Sequence, residues 1–138
     1  MALGRVLAEF ALKAMSVRQS SIGGDRRRVE VDLAGEASGE LPGQNVGTLT
    51  VDTTGVSSRP STWTFTGVLL AKSGAVVQIS GSGVGIRTGE GHKARYRGTA
   101  TYYTDDPKLA DRNHMIAAVE FETDPATMTM KGAACEWN

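Results

Sequence analysis

Ser61-Thr62-Trp63-Thr64-Phe65-Thr66-Gly67-Val68-Leu69-Leu70-Ala71 alternates aromatic and threonine side chains, placing Trp63 and Phe65 on one face of an extended chain and the threonines on the other. Branching at Cβ restricts χ1 in Thr and Val, which suits a pleated strand better than a helix. Lys72-Ser73-Gly74 then makes a short connection into Ala75-Val76-Val77-Gln78-Ile79, the pattern of a β-hairpin. The same period of two recurs on both sides of this hairpin.

Toward the N-terminus, residues 45–56 place Val46, Leu49 and Val51 among threonines and Asp52. Leu41-Pro42-Gly43-Gln44 supplies turn chemistry, and before it Val29, Val31 and Leu33 alternate with Glu30, Asp32 and Ala34 from Arg26 onward. These two segments predict an antiparallel pair. The first twenty residues carry two competing stripes: Leu3, Leu7, Phe10, Ala14 and Val17 at helical spacing, and Val6, Ala8, Phe10, Leu12 and Ala14 at strand spacing. Residues 3–19 thus fit either element. A strand over about 6–19 is preferred, because Ile22-Gly23-Gly24-Asp25 then becomes a hairpin connection and no capping residue opens a helix.

Toward the C-terminus, Gly81, Gly83 and Gly85 leave one face of a strand without side chains, as happens where a strand coils sharply or a second backbone packs close. A barrel corner is the natural place for it. In residues 92–104, Lys93, Arg95 and Arg97 oppose Ala94, Tyr96, Gly98, Ala100 and Tyr102. Asp105-Asp106-Pro107 breaks the ladder, and a single helical turn is predicted near residues 108–113. From His114, Met115, Ala117, Val119 and Phe121 alternate with Ile116, Ala118, Glu120 and Glu122, and Asp124-Pro125-Ala126 turns the chain into a last strand over residues 127–137. Eight strands result, the number that closes into a small barrel and removes exposed edges. The expected fold is all-β: one domain spanning residues 1–138, a closed antiparallel barrel with at most that short helical turn.

Composition narrows the partners. The chain has 138 residues, 40% of them hydrophobic, with 15 Lys+Arg against 15 Asp+Glu. That balance gives no long-range field to gather nucleic acid or an anionic membrane. The basic run Arg26-Arg27-Arg28 is followed by Glu30 and Asp32 and reads as a solvated strand start. Cys135, the single cysteine, forms no internal disulfide. The first ten residues carry Arg5 and Glu9 and lack a signal-type apolar region, and no run approaches the roughly 20 apolar residues of a membrane span. A cytoplasmic location is the expectation.

The strand pattern carried by Thr64-Phe65-Thr66-Gly67, Gly81-Ser82-Gly83-Val84-Gly85 and Tyr96-Arg97-Gly98-Thr99-Ala100 resembles the small bacterial β-barrel proteins of unknown function of the allene oxide cyclase-like and calycin-like type. The resemblance covers most of the chain as a pattern of strands, not as a motif. It implies a closed antiparallel barrel, a homo-oligomer, and an apolar pocket that relatives use for binding, cyclisation or isomerisation. It carries over no catalytic residue, and fold analogy alone assigns no function.

Among candidate sites, the Gly81–Gly85 stretch is no dinucleotide motif, since Ile86 and Thr88 stand where a third glycine belongs; no cofactor is expected. His92 and His114 lack the spacing of metal ligands, and no metal is expected even with Cys135, Glu120 or Asp111 as a third group. Nothing in the sequence places a base beside Cys135, which reads as a small apolar filler. Trp63 and Phe65, with Met115, Met128 and Met130, read first as core. The candidate ligand contacts are Trp63, Tyr96, Tyr102, Glu120 and Glu136, the last in line with Met128 and Met130. One sequence does not decide which face of each strand points inward. The expected function is a barrel that binds a small apolar ligand. The alternatives are a cyclase or isomerase in which Glu120, Glu136, Tyr96 or Tyr102 moves a proton on an apolar metabolite, and a non-catalytic oligomeric assembly module.

Overall fold

Every segment with period-two alternation is a strand in the computed structural model, which describes residues 3–55, 59–88 and 93–137. The strands are β1 (Leu3–Gly23), β2 (Arg26–Gly39), β3 (Gly43–Thr53), β4 (Ser61–Ala71), β5 (Val76–Arg87), β6 (Ala94–Tyr103), β7 (Ile116–Asp124) and β8 (Thr129–Trp137). Each pairs antiparallel with the next, and β8 returns to β1, so the eight strands close into an up-and-down barrel with no free edge. Both termini and the β2–β3, β4–β5 and β6–β7 connections share one end. The other four connections share the opposite, open end.

Residues 3–19 are strand, and the helical-looking stripe has a physical cause. The register of β1 shifts between Val6 and Ala8 against β8, and again between Ala14 and Ser16 against β2. Each bulge inserts one residue and flips the phase of the strand beyond it. Leu7, Phe10, Leu12, Ala14 and Val17 therefore all line the interior, although no single period of two connects them. Met15, the extra residue of the second bulge, is 71% exposed.

The core depends on aromatic rings laid over glycines. Trp63, Phe65, Tyr96 and Phe121 point inward and belong to one buried cluster with Leu12, Leu33, Leu49 and Met130. In the ladder, Phe65 stands opposite Gly81, Trp63 opposite Gly83, Tyr96 opposite Gly85 and Phe121 opposite Gly132. A Cβ at Gly98 would sit 2.7 Å from Trp63 Cζ2, one at Gly67 would sit 2.8 Å from Phe65 Cε2, and those at Gly47 and Gly85 would collide with the rings of Phe65 and Tyr96. Backbones approach closely at Gly47, Gly67 and Gly98 as well, with the Gly83 and Gly98 Cβ sites falling on the facing strand. The glycine run of β5 is thus the seat for the rings as well as a close backbone contact. Phe121 meets Trp63 edge to face at 4.9 Å and stacks on Tyr96 at 4.8 Å, and Trp63 Nε1 donates to the Arg97 carbonyl at 3.2 Å.

The helical turn is longer than the sequence predicts. A 3₁₀ segment runs from Pro107 to His114, opened by the Asp106 carboxylate, which accepts from the Lys108 amide at 2.9 Å. Asn113 ties it to β6 through both backbone groups of Thr104, at 2.8 and 3.0 Å. This segment lies against the end that holds the termini, which is therefore called the helix end. The last strand begins later than predicted, at Thr129, because Met128 sits in the β7–β8 turn at φ 56°. Among the described residues no helix is long and apolar enough to cross a membrane.

The outer wall is a lattice of cross-strand charge pairs. Arg28 forks onto Asp52 at 2.8 and 3.0 Å, and Asp32 accepts from Arg18 at 2.7 Å, Ser16 at 2.6 Å and Thr48 at 2.8 Å. Those hydrogen bonds, the Arg18 one first, hold the Asp32 carboxyl far below the usual carboxylate range.

Gly98→Ala is expected to destabilise the barrel by about 1–3 kcal/mol, measured by urea unfolding, because neither Trp63 nor the facing backbone has room to yield. Since Asp32 has a depressed pKa, its pairing stabilises the fold above the unfolded-state value and the benefit is lost as pH falls below it. The stability gap between the wild type and Asp32→Asn should therefore be widest near neutrality and close in acid, as followed by thermal melts across pH; a gap independent of pH would contradict this.

Candidate functional site

The aromatic cluster divides the interior in two. On the helix side lies a cavity of about 70 Å³ lined by Leu7, Phe10, Leu69, Val77, Ile79 and Tyr102 among others. On the open side lies a chamber of about 620 Å³ whose walls are the inward side chains of β1, β2 and β3, among them Val17, Val29, Val31, Leu33, Leu49 and Val51. Tyr96 and Met130 form its floor, and Met128 reaches it from the β7–β8 turn.

The five residues singled out from sequence do not converge. Tyr96 borders the open chamber, while Trp63 and Tyr102 border the small cavity behind the aromatic layer. Glu120 points outward, 3.8 Å from Arg95 and 3.7 Å from Arg97 on the neighbouring strand, and does not face the interior. Glu136 has the inward phase of Met130 and Ala134 but lies at the barrel's end, where Arg5 reaches it at 3.2 Å. Arg5 also contacts Glu40 at 3.0 Å, and Glu40 meets Arg112 at 3.4 Å, so an alternating chain of charges closes the helix end. Cys135 is half-buried on the outward phase, opposite Ala118. His114 ends the 3₁₀ segment, and His92 lies outside the described residues. No group of three metal-ligating side chains occurs among the described residues.

Burial raises the pKa of Tyr96, opposed by hydrogen bonds to Thr123 and Ser61 and by the nearby Arg87 charge. Tyr102 is raised by burial as well, opposed by Arg112. Both phenols are therefore neutral hydrogen-bonding groups, not ready proton acceptors, across the physiological range.

Several polar residues that border the two cavities are not among the candidates named from the sequence. Asn45 is 8% exposed, borders the small cavity, and leaves its Oδ1 without a hydrogen-bond partner among the described residues. Arg112 reaches the same cavity from the 3₁₀ segment. Arg27, Arg59 and Arg87 line the open chamber, as do Asp25 and Asp124. The signal for Arg27 and Arg87 was present: Arg27 shares the phase of Val29, Val31 and Leu33, and Arg87 that of Gly81, Gly83 and Gly85. Arg59, in a connection, has no such signal.

Fold and site together define a small closed barrel with one filled end and one open chamber, aliphatic along β1, β2 and β3 and charged at its mouth. No protein-family model and no curated protein matches the chain. Solved structures do. A protein with unknown function from Clostridium acetobutylicum ATCC 824 superimposes with a TM-score of 0.84 at 14% identity, over 100% of both chains. A β-barrel-like protein from Acinetobacter baumannii AYE gives 0.82 at 16% identity, covering 98% of this chain and 94% of the other. An enzyme from Penicillium herquei gives 0.61 at 11% identity, over 99% and 98%. At these identities the likeness is one of fold, and it bears out the resemblance to bacterial barrels of unknown function.

Replacing the orphaned acceptor by an apolar group of similar size is expected to stabilise: Asn45→Leu should gain roughly 1 kcal/mol in urea unfolding. For the phenols, a folded pKa above the ordinary 10.0 means the unfolded chain gives up its protons first. Stability should fall as pH rises beyond that value, and the loss should shrink in Tyr96→Phe and Tyr102→Phe, as read from melts alongside ultraviolet phenolate absorbance.

Proposed function

We propose that this protein is a binding barrel that takes a small apolar molecule in its open-end chamber. The observation that carries this reading is the chamber of about 620 Å³, walled by aliphatic side chains of β1, β2 and β3 and floored by Tyr96 and Met130. Eight-stranded barrels have room for one small ligand, and pockets in this size range commonly bury a molecule of metabolite size. A wall of Val and Leu favours an apolar body at roughly 25 cal/mol per Å² removed from water.

Binding is favoured over a cyclase or isomerase that works through Glu120 or Glu136 by where those two carboxylates lie. Glu120 is on the outer wall and Glu136 is engaged with Arg5 at the far end, so neither stands beside an occupant of the chamber. Tyr96 is held neutral by burial and engaged with Ser61 and Thr123. General acid–base catalysis needs a group within hydrogen-bond reach of the substrate and a pKa near the working pH.

Native mass spectrometry of protein isolated from its own source should reveal a stoichiometric small molecule. In parallel, the neutral fluorophore N-phenyl-1-naphthylamine should bind the purified protein at one site. Val29→Trp, which fills the chamber with an indole, should abolish that binding while the melting temperature holds. Retention of the probe by this variant would place the ligand elsewhere, and failure of the wild type to bind the probe or retain any molecule would overturn the reading.

A further inference from the structure

The ten arginines of this chain are unevenly engaged. Arg5, Arg18, Arg28, Arg95, Arg97 and Arg112 each lie within 4.0 Å of a carboxylate. Among the described residues Arg26, Arg27, Arg59 and Arg87 form no such pair, and Arg27, Arg59 and Arg87 all line the open chamber. Their placement is built into the ladder for two of them. Arg27 continues the inward row of Val29, Val31 and Leu33 on β2, and Arg87 continues the inward glycine row of β5. The Arg87 charge opposes the burial-driven rise in the Tyr96 phenol's pKa.

Three guanidinium groups around one apolar chamber repel one another, and a low-dielectric wall strengthens their field in the space between them. Two carboxylates share the lining: Asp124, which has Lys93 at 3.9 Å, and Asp25, whose side chain lies beside Gly55. The helix end is different in kind. There Arg5 and Arg112 alternate with Glu40 and Glu136 in a chain of opposite charges, so both guanidinium groups of that chain are paired. Guanidinium offers a planar fork of donors that matches an oxyanion in two-point contact, and Arg holds its charge at every relevant pH.

From this arrangement we propose that the ligand of the open chamber is an anionic amphiphile, an apolar body carrying one oxyanion, a carboxylate in the simplest case, held at the rim by Arg27, Arg59 and Arg87. This rests on the reading of the chamber as an apolar binding site and adds the charge of the molecule that enters. The apolar body lies along β1, β2 and β3, and the head group stays near the mouth, where water still solvates it in part.

The test compares a dansyl-labelled long-chain carboxylate with its methyl ester, titrated into the full-length protein by fluorescence. The carboxylate is expected to bind about tenfold more tightly than the ester, the scale of two partly exposed ion pairs. That preference should shrink as salt is raised. In the double variant Arg27→Gln/Arg87→Gln it should vanish, with ester affinity unchanged, whereas Arg26→Gln, outside the chamber, should keep it. Equal binding of carboxylate and ester by the wild type, or a preference that survives in the double variant, would overturn the proposal while leaving apolar binding intact. If neither ligand binds, the chamber reading and the charge assignment fall together.

Discussion

A ring can lie flat against a strand only where that strand has no Cβ, and this steric condition organises the barrel. Trp63, Phe65, Tyr96 and Phe121 are the four rings of the main buried cluster in a chain that is only 6% aromatic. Each faces glycine on a neighbouring strand, and the glycines of β5, β6 and β8 leave gaps of the depth the rings need. An eight-stranded barrel has too narrow a bore for large side chains on every strand at one level. Alternating rings with bare backbone around the circumference fills it without overpacking.

From that layer the structure builds outward in both directions. Behind it the chain spends polar groups on closure: the 3₁₀ segment is fixed to β6 by Asn113, and the charges of Arg112, Glu40, Arg5 and Glu136 alternate across the end. Ahead of it β1 and β2 run long, 21 and 14 residues, and carry aliphatic side chains beyond the level of the rings. The outer wall contributes pairing of charges across the ladder, as at Arg28 with Asp52 and Arg95 with Glu122, which fixes register more than it adds stability.

Strand identity was legible because alternation survives wherever one face is buried. β4 runs over the very residues that the Trp and Thr alternation marks, 61–71, and the hairpin after it turns at Lys72-Ser73-Gly74 as its composition implies. β1 was ambiguous because two of its bulges, at Leu7 and Met15, step the inward row by three residues, and a step of three imitates a helix. The site was far less legible. Period two groups Tyr96 with Tyr102 and Glu120 with Glu122 but leaves the inward phase open, and it places no residue along the barrel axis, so Tyr96 and Tyr102 fall on opposite sides of the aromatic layer. Glu136 has the right phase and the wrong height. Arg59 reaches the chamber mouth from a connection, and Arg112 enters the interior from the 3₁₀ segment, by tertiary placement that no local pattern encodes.

The position of the aromatic layer also bears on how such a protein changes over generations. The groups that hold the barrel shut are buried among the rings and at the helix end, whereas Arg27, Arg59 and Arg87 at the mouth are exposed and outside the buried cluster. Deeper in the proposed binding chamber Leu33, Leu49, Val51, Ala94, Tyr96 and Met130 belong to the buried cluster as well, so a change there acts on folding and on the fit of an occupant together, whereas a change at the mouth does not disturb the cluster. Under the proposed binding role, exchange of mouth residues changes the charge presented to an occupant without touching the buried cluster.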